Sequence, residues 1–454
     1  MDTNESSITS FNKITEGVIW KEMIKYCIPI AVGTLFQQLY NVVDAIVVGR
    51  AIGTEALAAV GGSASILSMV IIAFFSGLTA GASVIIAQHY GAKEGRKVDE
   101  AMHTSFAFAI SCGLIMGIAG CLSTEWLLEM MKTPEDTMDL SISYLRIYFV
   151  GLVATLTFNR GASVMRSIGD SKRPLYYLIV YSILNIVLDI VFVVFFGWGI
   201  IGAAVATVAA QVVSCIMTLY SLMHSYDEVK LEFRKIRIIP HVLWRELRIG
   251  IPGGFQSCIS GITNIMIQTA INSFGTNVTA GWAAYNKLDM IYWMVLSSFG
   301  AAATTFVGQN YGANRMDRVK KTARTSFMLS TVTCSIILVV LVTLAEPLMS
   351  IFTTNPDVVK TGADMLYFLV PMYFLAIIME IPTDVLRGLG YTFWPMTFAL
   401  ITMVGLRIPW LLFVVPVHHT VNNVLLSYPI AIGSAAILIN AYFFIVMRRL
   451  RKKS

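Results

Sequence analysis

Charge is scarce in this chain of 454 residues. Asp, Glu, Lys and Arg together make up 13% of it, about half the share usual in soluble domains. So few ionisable groups argue against a water-soluble body of this size. Cysteine is scarce as well. Cys27, Cys112, Cys121, Cys215, Cys258 and Cys334 fall in or beside apolar runs and form no CxxC pair, which leaves neither a zinc site nor a disulfide framework. They read as free, buried small apolar residues. A glycine-rich phosphate loop, a cluster of metal ligands and a nucleophile triad are all missing. ATP-driven transport and hydrolytic catalysis are therefore not expected, and neither enzyme activity nor a bound cofactor is. The N-terminus has no apolar core followed by a small-residue cleavage site, so it is not read as a cleaved signal. Its Phe11–Trp20 portion is expected to lie along a membrane surface as a short helix.

Apolar residues are what the chain has in abundance. They account for 56% of it, the mean hydropathy is +0.71, and twelve runs of about 20 residues recur from end to end. Lysine and arginine orient these runs. Lys93, Arg96 and Lys97, then Arg166, Lys172 and Arg173, then the basic stretch from Lys230 to Arg248, then Arg315 to Arg324, and finally the RRLRKK tail all fall on one side. The opposite loops offer Arg50, Lys132 and Lys360 among acids such as Glu125 and Glu135. The positive-inside rule then puts both termini in the cytoplasm. The net charge of +6 reflects this topology and gives no case for nucleic-acid binding.

The second half repeats the first. IPIAVGTLFQQLYNVVDAIV from Ile28 returns as IPGGFQSCISGITNIMIQTA from Ile251, matching Pro29 with Pro252. AQHYGAKEGRK returns as VGQNYGANRMDR, and MRSIGDSKRP as LRGLGYTFWP, matching Tyr90 with Tyr311, Arg166 with Arg387 and Gly169 with Gly390. The offset stays between 221 and 223 residues, a register that chance does not hold. Six runs per half, an even number, make the repeats parallel. The expected fold is an all-α polytopic membrane protein. Its twelve transmembrane helices form two pseudo-symmetric six-helix lobes around a central cleft. The expected boundaries are a cytoplasmic N-terminal segment (1–23), a first lobe (24–224), a cytoplasmic linker (225–249), a second lobe (250–447) and a basic tail (448–454).

Within the first apolar run, Gln37, Asn41 and Asp44 sit at i, i+4 and i+7 and share one helix face. A carboxylate at membrane depth costs roughly 2.5–3.5 kcal/mol even on lenient scales, so it implies either a partner across helices or an ion site. On the fifth run Asn185 and Asp189 lie one turn apart. On the sixth, Ala203, Thr207 and Gln211 share a face. Four oxygen-bearing side chains suit a weakly held monovalent cation, and two close carboxylates also suit a shared proton. The residues alone leave both uses open, together with a purely structural polar knot.

YNVVDAIVVGRAIGTEALAAVG, the QHYGAKE loop, RSIGDSKRP and FGWGIIGAAVATVAAQ together resemble the multidrug and toxic compound extrusion (MATE) family, most closely its DinF-like prokaryotic branch. The resemblance runs over roughly residues 20 to 445. It implies a secondary active exporter in the bacterial cytoplasmic membrane, moving organic, mostly lipophilic or cationic compounds out against inward H⁺ or Na⁺ by alternating access. It carries the coupling role onto Asp44, Asn185, Asp189 and Thr207, with Na⁺ as a candidate ligand of those four. A flippase of lipid-linked oligosaccharides or polysaccharides, from the same wider superfamily, is the alternative.

The second half departs from the other known arrangement of that family, because the position of its helix-7 acid falls near Ser260. Glu380 and Asp384 are expected to serve as gate or loop partners of Arg387 or Arg324. Lys287, Asp289 and Arg407 read as buried charges that each pair across helices or face the cleft, with structural and substrate-facing roles both open. Met266, Gln268, Trp282, Tyr285, Trp293 and Arg407, with Gln37 and Asn41, are the candidates for contact with substrate, since aromatic and thioether surfaces accommodate dissimilar ligands. Pro29 and Pro252 remove backbone hydrogen bonds early in their helices and are expected to act as hinges. The partners expected are a drug-like or metabolite substrate and the bilayer, with the protein acting as a monomer.

Overall fold

The computed structural model describes residues 12–226 and 229–452. They are overwhelmingly helical, and no strand occurs among them. The chain is an all-α, multi-pass membrane protein with a two-lobe repeat. We label its twelve long helices α1 (Ile19–Ala51), α2 (Ser63–Gly91), α3 (Gly95–Met130), α4 (Glu135–Ser167), α5 (Lys172–Asp189), α6 (Gly199–His224), α7 (Pro240–Asn272), α8 (Thr276–Gly312), α9 (Met316–Thr343), α10 (Pro356–Gly388), α11 (Phe393–Thr402) and α12 (Val421–Arg451). Two of them run on through wide π-turns. These are Ile190–Phe195 after α5, and Met403–Arg407 with Trp410–Val414 after α11. Eleven of the twelve are long and apolar enough to cross a bilayer. α7 matches them in length, but Gln256, Ser257, Ser260, Thr263, Asn264 and Gln268 dilute its apolar run.

The repeat legible in the sequence recurs as matched packing. In the first lobe α4 packs against α2, α3 and α6. In the second, α10 packs against α8, α9 and α12. Matched helix ends also fold alike. After α4, Gly169 takes φ +98°, its N–H bonds the Arg166 carbonyl at 3.0 Å, and Asp170 N–H bonds Met165 at 2.9 Å. After α10, Gly390 takes φ +87°, with 2.8 Å bonds from Gly390 to Arg387 and from Tyr391 to Leu386. This is the left-handed helix stop that favours glycine. Lys93 and Asn314 likewise share positive φ values of 60° and 56°. Beside Lys93, Glu94 is held below the usual carboxylate range, chiefly by the Lys97 ammonium 2.7 Å away.

The lobes do not begin where the sequence placed them. One compact unit spans Ile28–Ile251, and the other joins residues 12–27 to residues 252–452. Both changeovers fall inside continuous helices, at the residue next to Pro29 in α1 and at Pro252 in α7. Residues 225–249 were expected to be a linker. Instead Val229, Leu231 and Val242 join Ile85, Met102, Phe106 and Leu222 in the core of the first unit. Residues 448–451 were expected in a tail but continue α12. The six cysteines are free as expected, although Cys112, Cys121 and Cys258 are only half-buried.

The N-terminal segment also departs from expectation. Phe11 lies outside the described residues. From Asn12 on, the segment does not lie free along a surface but is docked onto the second unit. Asn12 Nδ2 donates to Gln309 Oε1 at 3.0 Å, and the Tyr26 and Thr305 hydroxyls meet at 3.1 Å. Arg318 Nη2 caps the carbonyls of Ile14 and Gly17 at 2.9 and 2.7 Å, and Arg315 Nη1 caps Thr15 at 2.7 Å. Bonds from a guanidinium to otherwise unpaired carbonyls contribute about 2 kcal/mol each. Arg318→Ala is therefore expected to speed amide exchange over residues 12–20 by at least about tenfold. Unchanged exchange in a mass-spectrometric comparison would show that the Arg318 bonds do not hold the segment.

Candidate functional site

In the first unit, α5 and α6 run side by side and bring their polar residues together. Asn185 and Asp189 have no exposed surface, and Asn185 Nδ2 donates to Thr207 Oγ1 at 3.3 Å. The Thr207 hydroxyl in turn donates to the Ala203 carbonyl at 3.1 Å, so it can turn only its lone pairs toward the site. Asp44, in the second half of α1, lies close to Asp189. The four residues paired from the sequence thus meet in space. Gln37 and Asn41, on the same face of α1, stay exposed and outside the cluster.

The hydrogen-bond inventory of this cluster is lopsided. Asp44 Oδ1, Asn185 Oδ1 and both oxygens of Asp189 are buried acceptors with no donor. Two carboxylates cannot bond each other without a proton, and at an effective dielectric near 20 two unit charges about 4 Å apart repel by about 4 kcal/mol. The donor set is all oxygen, which fits a proton or a hard monovalent cation and not a soft transition metal. Among the described residues no three His, Cys, Asp or Glu side chains gather anywhere.

Two features around the cluster were not read from the sequence. One is a tyrosine wall. Tyr40 and Tyr181 meet edge to face at 4.9 Å, and Tyr144 and Tyr148 stack at 6.5 Å, with Tyr144 packed among Val48, Val193 and Ala203. Their scatter over three helices leaves no short-range pattern to find. The other is the π-turn run that begins at Ile190. It widens the helix immediately after Asp189, a distortion common at functional positions.

In the second unit the matching register carries the opposite charge. The offset of 222 sets Asn185 on Arg407, and 221 sets Thr207 on Tyr428. Arg407 is buried, its guanidinium lies 3.9 Å over the Tyr428 ring, and its Nε and Nη2 have no partner. Asp44 falls on Ile267, which is fully buried, so no carboxylate takes that place in the second unit. Applying the offset to Thr207 would have found Tyr428 from the sequence.

The remaining candidates form a network inside the second lobe. Asp289 Oδ1 accepts from the Tyr373 hydroxyl at 2.7 Å and from Tyr285 at 3.3 Å. Trp282 stacks on Tyr285 and donates to Gln268 Oε1 at 3.1 Å, while Gln268 donates to Asn272 at 2.7 Å. Trp282 and Tyr285 are buried within the lobe, whereas Met266 and Trp293 are half-covered. Lys287, read as a buried charge, is exposed, because its place on α8 two residues from Asp289 turns it to the opposite side. Asp384 pairs with Arg387 and accepts from Thr304 Oγ1 at 3.4 Å, while Glu380 is half-buried one turn earlier.

A family model described as MatE matches residues 29–191 and 252–412. The Bacillus subtilis (strain 168) protein named "Probable multidrug resistance protein YoeA" is 26% identical over 99% of this chain and 98% of its own. "Multidrug export protein MepA" of Staphylococcus aureus (strain MSSA476) is 21% identical over 83% of this chain and 80% of its own. A solved structure described as the outward-facing conformation of a multidrug resistance MATE family transporter of the MOP superfamily shares the fold. Its TM-score is 0.89 at 24% identity, covering 98% of this chain and 99% of that one.

Proposed function

Because this chain belongs to the MatE family, we propose that it is a secondary active exporter. It moves organic, drug-like compounds out of the cell in exchange for inward H⁺ or Na⁺. The observation that carries the reading is the set of four donorless buried oxygens at Asp44, Asn185 and Asp189. An entering cation neutralises the pair and draws Asp44, and with it the outer half of α1, toward α5 and α6. α1 is suited to respond. Only 6% of its most apolar stretch is buried, against 28–56% for the other ten helices that are long and apolar enough to cross. Pro29 supplies the flexible joint at its inner end, where a backbone hydrogen bond is missing. The transported cation thereby favours one conformation over another by its differential affinity, which is all that coupling requires. In this reading the protein acts as a monomer in the bacterial cytoplasmic membrane, with both termini inside and no cofactor.

The test is reconstitution of the full chain in sealed vesicles with Na⁺ and pH gradients imposed separately. Dye movement that follows one gradient and stops with the matching ionophore identifies the ion. Movement indifferent to both gradients would overturn the exporter reading, and translocation of a lipid-linked sugar would favour the flippase. Thr207→Ala removes a neutral ligand worth about 1 kcal/mol. It is expected to raise the ion concentration for half-maximal transport by roughly fivefold and leave the maximal rate nearly unchanged. A changed maximal rate with an unchanged ion dependence would exclude Thr207 as a ligand.

A further inference from the structure

We propose that a groove at one end of the second unit, between α9, α10 and α12, holds an anionic phospholipid. The groove is open and has a volume of about 850 Å³, within the range of sites that take drug-sized molecules. Its walls are graded along the helix axes. Lys320 and Arg324 come from the first turns of α9, and Arg448 and Arg451 from the last turns of α12, so all four cations sit at the helix ends. Further along, the wall is Phe327, Ile381, Pro382 and Phe444, with no polar group except Asn440. Among the described residues that line it there is no Asp or Glu. Positive charge beside an apolar trough on a membrane-spanning bundle matches a phosphate headgroup with its acyl chain. Free phosphate would have no use for the trough.

Three of the four cations are also unspent. Among the described residues Lys320, Arg324 and Arg448 form no salt bridge, whereas neighbouring guanidiniums are committed. Arg315 and Arg318 go to the carbonyls of the N-terminal segment, and Arg387 to Asp384. The floor is permanent. Pro382 has no N–H, which leaves the Ile378 carbonyl without its helical donor. Asn440 Nδ2 fills that place at 2.8 Å and also bonds Ala436 at 2.8 Å, tying α12 to α10 beneath the groove. By the lysine and arginine distribution this end is the cytoplasmic one, where anionic lipids attract juxtamembrane cations by about fivefold in affinity per residue.

The inference is independent of ion coupling and is tested on the full chain in detergent by native mass spectrometry. The protein is titrated with phosphatidylglycerol, phosphatidylcholine or inorganic phosphate. Phosphatidylglycerol is expected to bind in preference to phosphatidylcholine. Arg324→Gln/Arg448→Gln is expected to weaken it by roughly 25-fold, and Arg324→Lys/Arg448→Lys to retain most of it. Arg234→Gln/Arg237→Gln removes the same charge from the segment before α7 and is expected to change nothing. Equal retention of the two lipids would overturn the proposal. So would undiminished phosphatidylglycerol binding by the glutamine pair, or inorganic phosphate binding as tightly as the lipid.

Discussion

Asp189→Asn is expected to abolish gradient-driven export, by 30-fold or more, while leaving the protein folded and inserted. Asn keeps the size of the side chain and removes the charge. The fully buried Asp189 contributes two of the four donorless oxygens, so the variant loses the strongest ligand for an entering cation. Losing a buried charged ligand costs about 2–5 kcal/mol, enough for that factor. The asparagine amide can also donate to Asp44, which locks α1 in the posture that the cation would otherwise induce. Asp44→Asn is expected to behave alike. The measurement is dye movement in vesicles under a fixed gradient, alongside an unfolding curve. If Asp189→Asn exports at the wild-type rate, the coupling site is not in the first lobe, and Asp289, Glu380 and Asp384 become the carboxylates to test.

Gly250→Val is expected to have the largest effect on stability. In the first unit α2 and the leading part of α7 cross with their backbones touching. A Cβ at Gly250 would lie 2.7 Å from the Leu78 carbonyl oxygen and 2.9 Å from Leu78 Cα, while one at Gly81 would strike the Glu246 carbonyl. The obstacles are main-chain atoms, which no change of rotamer can move. The helices would have to separate, uncovering Glu246, which is 3% exposed with Oε1 unpartnered. The expected cost is about 3 kcal/mol or more, read as a collapse in the yield of monodisperse protein. Gly61→Ala is the control, because nothing lies within 4 Å of its added carbon. A Gly250→Val protein that melts like the wild type would mean that this crossing is loose.

Much of this organisation was legible because bilayers impose simple rules. Long apolar runs, basic loops and a register of 221 to 223 residues fixed the number of helices and their repetition. Asp44, Asn185, Asp189 and Thr207 were readable because polar groups at membrane depth are costly and helical spacing sorts them onto faces. The changeover of the lobes at Pro29 and Pro252 was not readable, because hydropathy does not say which neighbour a helix packs against. The tyrosine wall was hidden for a related reason, since Tyr40, Tyr144, Tyr148 and Tyr181 are ordinary interfacial residues until three helices align them. Lys287 was misjudged because the sequence gives its separation from Asp289 but not which side of α8 faces inward.

The leading turns of α1 and α7 each belong to the unit that the rest of their helix does not. The two six-helix halves are therefore not separable modules. A polypeptide ending at residue 226 would lack Gly250 and Glu246 against α2, and its own Met23 and Tyr26 would have no Ser326 or Thr305 to meet. The complementary half would be short of the same pieces in reverse. Produced as two chains in one cell, the halves should depend on each other to mature, each lending the other its first turns.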